Sequence, residues 1–308
     1  MTPVAAIDCG TNSIRLLIAD RGPDGDLVEL DRRLEIVRLG QGIDATGEFH
    51  PAALERTFAA VDQYAEAVRA AGVPRDKIHF VATSAARDAG NREAFFAGIR
   101  DRLGTEPDVI TGEREAHLSF IGALSGAGDV AEPVLVMDIG GGSTELIIGS
   151  AAGEIDFARS LDIGSVRLTE RFWPDGQPGP EQLGAAAGYV DELLDASGAD
   201  FGHVRTWIGV AGTATTLAGV YLELDEYDRS RVHRSTIPLP AIGDLLAMLA
   251  SSTVEEIRAI ASMHPKRADV ITAGALIVGR IARRISTDAL LVSESDILDG
   301  IALELLNS

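Results

Sequence analysis

A carboxylate, three consecutive glycines, two hydroxyls and a second carboxylate occur together in residues 134–149, VLVMDIGGGSTELIIG. Asp138 lies near the end of one apolar run; Gly140, Gly141 and Gly142 follow, and Ser143, Thr144 and Glu145 lead into a second run. The pattern predicts a strand, a glycine turn and a returning strand. Glycine is needed where φ is positive or where a bulky anion touches the main chain. Successive N–H groups in such a turn cradle an anion, and the flanking carboxylates suit a hard cation such as Mg²⁺. A tight hairpin without a ligand is the competing reading.

Residues 6–20, AIDCGTNSIRLLIAD, overlay this stretch at a constant offset. Asp8 falls on Asp138, Gly10 on Gly140 and Ser13 on Ser143, while Leu16, Leu17 and Ile18 fall on Leu146, Ile147 and Ile148. Thr11 and Asn12 complete the first turn. The copies differ where Arg15 stands opposite Glu145. A strand–turn–strand unit repeated half a chain apart predicts two similar lobes, each offering a phosphate-binding hairpin to a shared cleft. A third glycine loop, WIGVAGTATTLAG at 207–219, carries Gly212 and Thr213 at a helix start. Its amides either hold another part of a polyanion or form a plain strand-to-helix turn.

The DxGTNSxRL hairpin, the DIGGGSTEL hairpin and the AGTATTLA loop together resemble the exopolyphosphatase/guanosine pentaphosphate phosphohydrolase family. VATSAARDAGN at 81–91, ITGEREAHLSF at 110–120 and MHPKRADVITAGALI at 263–277 fit the same family in the same order. The resemblance implies an α/β protein of two ribonuclease H-like (actin-like ATPase) lobes. Each lobe would be a mixed five-stranded sheet flanked by helices, with an interdomain cleft. It implies hydrolysis of the terminal phosphoanhydride of inorganic polyphosphate, metal-assisted, with release of orthophosphate. A guanosine pentaphosphate (pppGpp) 5′-phosphohydrolase is the alternative within the family. Outside it stand an ATP-dependent kinase on the same scaffold and a non-enzymatic actin-like binding protein.

The resemblance also assigns roles. Glu113 and Glu115 fall at a helix start, where acidic residues suit the macrodipole and where a general base can also be built. Similarity to the family's EEA-like motif favours Glu115 as the base, although Thr111 and Arg114 depart from the usual Ser and Glu. Arg87 is either a phosphate clamp or a surface partner of Asp88. Asp8, Gly10, Thr11, Asn12, Ser13, Arg15, Gly140, Gly141, Gly142, Ser143, Thr144, Gly212 and Thr213 would hold phosphates, and Asp138 and Glu145 would hold the metal. Near the C-terminus, Asp299-Gly300 stands where relatives carry an arginine before a glutamate-glycine pair. The chain's length resembles a short form of two lobes only, and the resemblance implies a homodimer.

Composition sets the outer limits. A chain of 308 residues with 46% hydrophobic content can bury two cores. A net charge of −20 argues against a general nucleic-acid binder. Screening over about 8 Å at physiological salt still lets local arginines dominate a cleft. Among 27 cationic residues only Lys77 and Lys266 are lysines, and arginine is the better bidentate phosphate ligand. The lone Cys9 excludes an intrachain disulfide and fits a reducing, cytoplasmic setting. No secretory leader or membrane span is predicted, and the histidines show no zinc-ligand spacing.

The elements that must position these residues follow from periodicity and breakers. Helices are predicted at 51–71, 91–103, 181–196, 241–249 and 254–261, with a closing helix near the C-terminus. Strands are predicted at 78–82, 107–111 and 204–210. The boundary is placed in the loop-like stretch after 119, giving lobes 1–125 and 126–308. Arg229, Arg231, His233 and Arg234 form a charged cluster at 221–235, read either as an entrance for an anionic chain or as a solvated loop.

Overall fold

A computed structural model describes residues 2–23 and 25–308, apart from the side chains of Asp44 and Asp88. The chain divides into two units, Met1–Gly122 with Ile297–Ser308, and Ala123–Asp296. The division falls inside the helix Gly112–Ala127 and not in a loop after it. The closing helix Ile297–Asn307, assigned by sequence to the second lobe, packs on the first unit's sheet. Its apolar face (Ile297, Leu298, Ile301, Ala302) closes a core that the first unit's own strands leave open on one side.

The first unit holds β1 (Val4–Cys9), β2 (Ser13–Arg21), β3 (Leu27–Ile36), β4 (Ile78–Ala82) and β5 (Asp108–Val109). Their order is β3-β2-β1-β4-β5. The first three strands run antiparallel, and β4 and β5 continue parallel to β1, which is the ribonuclease H-like arrangement. Every residue of β1 is buried because the sheet is covered on both faces. Ala5, Ile7 and Cys9 face the core under the helices Pro51–Ala70 and Arg92–Leu103, while Val4 and Ala6 face the C-terminal helix. The period of two fixes the register, since a one-residue slip would move each Ile or Leu to the wrong layer. Each such side chain contributes ~1.5–3 kcal/mol by burial.

The second unit repeats the plan with β6 (Val134–Ile139), β7 (Thr144–Gly149), β8 (Ile155–Leu161), β9 (Thr206–Val210), β10 (Thr236–Pro238) and β11 (Ala289–Val292). The order is β10-β11-β9-β6-β7-β8, six strands where the sequence predicts five. The extra strand is a three-residue edge ending in Pro238, and its sole neighbour is β11. Proline is tolerated there because no ladder partner lies outside. A piece so short, next to a charged stretch, shows no alternation from which to predict a strand. No helix among the described residues is long and apolar enough to cross a membrane.

Candidate active site

In the first unit the ladders pair Cys9 with Ala82 and Ala82 with Val109, so β1, β4 and β5 end level. Gly10, Thr83 and Ile110 therefore leave the sheet together at the C-terminal edge of the parallel strands, where α/β sheets bind ligands. Gly10 N donates to Ser13 O at 3.0 Å and closes the turn. The carbonyls of Thr11 and Asn12 are occupied: Gly40 N donates to Thr11 O, and Val37 N and Arg38 N donate to Asn12 O, at 2.8–3.1 Å. Thr11 Oγ1 and Ser84 Oγ share a hydrogen bond of 2.9 Å. Asn12 Oδ1 is buried with no partner among the described residues, which calls for a water or a ligand.

Arg15 and Asp8 are cross-strand neighbours and form an ion pair, Nη2 to Oδ2 at 2.6 Å. The arginine expected to face phosphate is thus held by the aspartate of its own hairpin. Burial, then the adjacent Asp8, push the Cys9 thiol well up, which suits a buried filler and not a nucleophile. Two residues of this edge carry no clear sequence signal. Gly40 lies so close that a Cβ would stand 2.4 Å from Thr11 Cγ2. Arg38 adopts φ 51°, a strained value for a non-glycine residue of the kind that clusters at functional sites.

Glu115 is buried in the first turn of the helix Gly112–Ala127, its N–H bonded to Thr111 O at 2.9 Å. Arg87 lies in the last turn of the short helix Ser84–Asp88 that follows β4. Its Nη1 donates to Glu115 Oε2 at 3.0 Å and to Ile110 O at 2.9 Å. The two residues given catalytic roles from sequence therefore meet. The alternative pairing of Arg87 with Asp88 lies outside the described residues.

In the second unit the ladder sets Asp138 directly opposite Glu145, on one face of the sheet. Gly140 N donates to Ser143 O at 3.0 Å, the same closure as in the first hairpin. None of Gly10, Gly140, Gly141 and Gly142 has positive φ, so a left-handed backbone does not account for glycine here. Ser165 N donates to Gly140 O, and Val166 N and Arg167 N donate to Gly141 O, from the start of the helix Ser165–Phe172. That occupies the turn's carbonyls, while the amides of Gly141 and Gly142 have no acceptor among the described residues. Gly164 permits this packing: a Cβ there would lie 2.4 Å from Gly141 C and O.

Two of the residues expected to hold phosphate use their side-chain hydroxyls internally. Thr144 Oγ1 donates to Ile163 O at 2.7 Å, and Thr213 Oγ1 donates to Ile139 O at 3.1 Å. Glu145 accepts from Ser160 Oγ at 2.7 Å. The Thr213 bond ties the Gly212 loop to the end of β6, and Asp138 itself pairs with Val210 at the end of β9. The glycine turn, the two carboxylates and the Gly212 loop thus share one sheet edge. Ala211 has φ 59°, a second strained residue at such an edge. The Arg267 guanidinium lies against Gly212, where a Cβ would stand 1.5 Å from Nη1. From the charged cluster, Arg229 pairs with Glu294 at 3.1 Å, and Asp228 caps the short helix Arg229–Val232.

A model of the Ppx/GppA phosphatase family matches residues 17–308. The chain belongs to the Ppx/GppA phosphatase family. It is 45% identical to Exopolyphosphatase 2 of Mycobacterium tuberculosis, with 99% of each chain covered. A solved exopolyphosphatase-like protein superposes with a TM-score of 0.92 at 40% identity, covering 98% of this chain and 97% of the other. A solved exopolyphosphatase of Cytophaga hutchinsonii gives 0.90 at 28% identity, covering 99% and 98%. The first glycine turn, the Arg87 guanidinium and the buried Glu115 carboxylate follow β1, β4 and β5, three adjacent strands of one sheet.

Proposed function

We propose that this Ppx/GppA chain is an exopolyphosphatase, removing orthophosphate from the end of inorganic polyphosphate. The observation that carries the reading is the buried Glu115 carboxylate held by Arg87, on the same sheet edge as the first glycine turn. Polyphosphate offers no ring or base to recognise, so binding rests on amides and cations, and the two turns and the Gly212 loop provide such donors. Phosphoryl transfer needs chiefly positioning and charge neutralisation. Glu115 orients the attacking water and accepts its proton as the oxygen bonds to the terminal phosphorus and the bridging P–O bond breaks, the bridging oxygen leaving with the shortened chain. The guanidinium of Arg87 fixes the carboxylate's direction. The charge of Arg15 is balanced by its pair with Asp8, so the first turn offers phosphate its amides more than a free cation.

Among the described residues no cluster of three or more metal-ligating side chains exists. Two carboxylates across one ladder nevertheless fit Mg²⁺, which commonly takes one or two carboxylates and fills its shell with phosphate oxygens and water. Asp138 and Glu145 would hold it, and when bound it would neutralise oxygens of the scissile group. A homodimer in the cytoplasm completes the reading, supported by the family resemblance and by a single buried cysteine.

Phosphate release from polyphosphates of graded length, measured beside pppGpp, tests the proposal. Release from the polymers at far higher kcat/KM is expected. Preference for pppGpp would favour the alternative within the family, and ATP-dependent phosphorylation of an acceptor without phosphate release would overturn hydrolysis altogether.

A further inference from the structure

The sequence departure at Asp299-Gly300 is not used by the chemistry above, yet it lies against the element that carries Glu115. Gly300 is the fourth residue of the helix Ile297–Asn307 and does not have positive φ. Glycine in a helix interior is unfavourable, so its presence needs a packing reason. The reason is a close approach: a Cβ at Gly300 would stand 2.1 Å from Leu118 O, 2.9 Å from Leu118 C and 3.1 Å from Leu118 Cα. All three are backbone atoms and cannot rotate aside. Leu118 sits three residues after Glu115 on the helix Gly112–Ala127.

The same two helices are joined again about one turn further on. Glu304 pairs with Arg114 and lies 4.0 Å from His117 Nε2, so its partners bracket Glu115 in sequence. The C-terminal helix is itself fixed to the first unit. Asp299 accepts two bonds of 2.9 Å from Arg32 on β3, and Arg21 and Lys77 donate to the carbonyls of Leu306 and Leu305.

We propose that Gly300 is a positioning residue for catalysis, and that the C-terminal helix serves as the backstop that sets where Glu115 meets Arg87. The inference rests on the reading of Glu115 as the base. An added methyl must move the Leu118 backbone by roughly an ångström, a misplacement able to lower turnover by about two orders of magnitude. Glu115 and Arg87 meet at 3.0 Å, so a shift of that size separates them.

The test is a double-mutant cycle in the full chain, with Gly300→Ala, Glu115→Gln and the pair assayed on polyphosphate. Gly300→Ala should lower kcat ~30- to 100-fold with KM within about threefold. In the Glu115→Gln background the same change should have almost no further effect, because the group it misplaces is already gone. Wild-type kcat in folded Gly300→Ala, or an equal loss in both backgrounds, overturns the proposal while leaving the base assignment intact. Wild-type turnover in Glu115→Gln overturns the base assignment and the proposal with it. Should Gly300→Ala not fold, Glu304→Gln takes its place: a several-fold drop in kcat that vanishes in the Glu115→Gln background is expected, and an unchanged kcat overturns the backstop.

Discussion

Asp138 faces Glu145 across the β6–β7 ladder at the position where β1 and β2 set Asp8 against Arg15. One hairpin therefore neutralises its own aspartate, and the other opposes two like charges. Like charges directly opposite one another destabilise a sheet, and a cation held by both carboxylates would offset that. Asp138→Asn and Glu145→Gln should each raise the Mg²⁺ concentration for half-maximal activity by ~10-fold or more. Mg²⁺ should also raise the Tm of the wild type and not of the variants, by mass action. A thermal-shift titration reads this without any turnover.

Glu115→Gln keeps an oxygen for the Arg87 bond but removes the basic carboxylate. Turnover should fall ~10²-fold or more while KM changes little. Steady-state phosphate release decides it, and wild-type turnover would remove Glu115 from the mechanism.

Gly164 and Gly140 separate packing from ligand approach. At Gly164 an added Cβ meets Gly141 C and O at 2.4 Å, so Gly164→Ala should destabilise the second unit by ~1–3 kcal/mol as well as impair activity. At Gly140 the nearest atom would be Ser143 O at 3.5 Å, an ordinary contact. Gly140→Ala should leave the Tm nearly unchanged and lower kcat/KM if phosphate approaches the main chain there. Denaturation and kinetics on both variants check the contrast.

Burial raises the Glu294 carboxyl above its ordinary value, against the opposing hydroxyl of Tyr227 and the guanidinium of Arg229. The folded state then holds this proton more tightly than the unfolded state. The resulting stabilisation is complete below the ordinary carboxylate range and is lost as pH rises through the elevated folded value. Glu294→Gln should remove that slope. Comparing Tm against pH for the two proteins, from about pH 4 to 7, should show the wild type losing more stability on the way up.

Much of the site was legible because its signals are local. A period of two, an aspartate at the strand end and a glycine turn specify a hairpin wherever they occur, and the same backbone closure appears in both copies. The reason for the glycines was only half legible. Positive φ and close approach leave the same letter in a sequence, and the fold removes positive φ as the reason at these turns. The hydroxyls of Thr144 and Thr213 donate to Ile163 O and Ile139 O, partners no local pattern reveals.

The amino-acid sequence by itself determined the twin hairpins and the apolar layers around them, since each depends on neighbours within a few residues, while Glu115 and Arg87 were singled out by resemblance to the family. Tertiary structure decided what touches what. It brought Arg87 to Glu115, laid Arg267 over Gly212, set Gly300 against Leu118, added β10 to the second sheet and returned Ile297–Asn307 to the first unit. These contacts join residues far apart in the chain, and they arise from filling space at atomic density, which no linear spacing encodes.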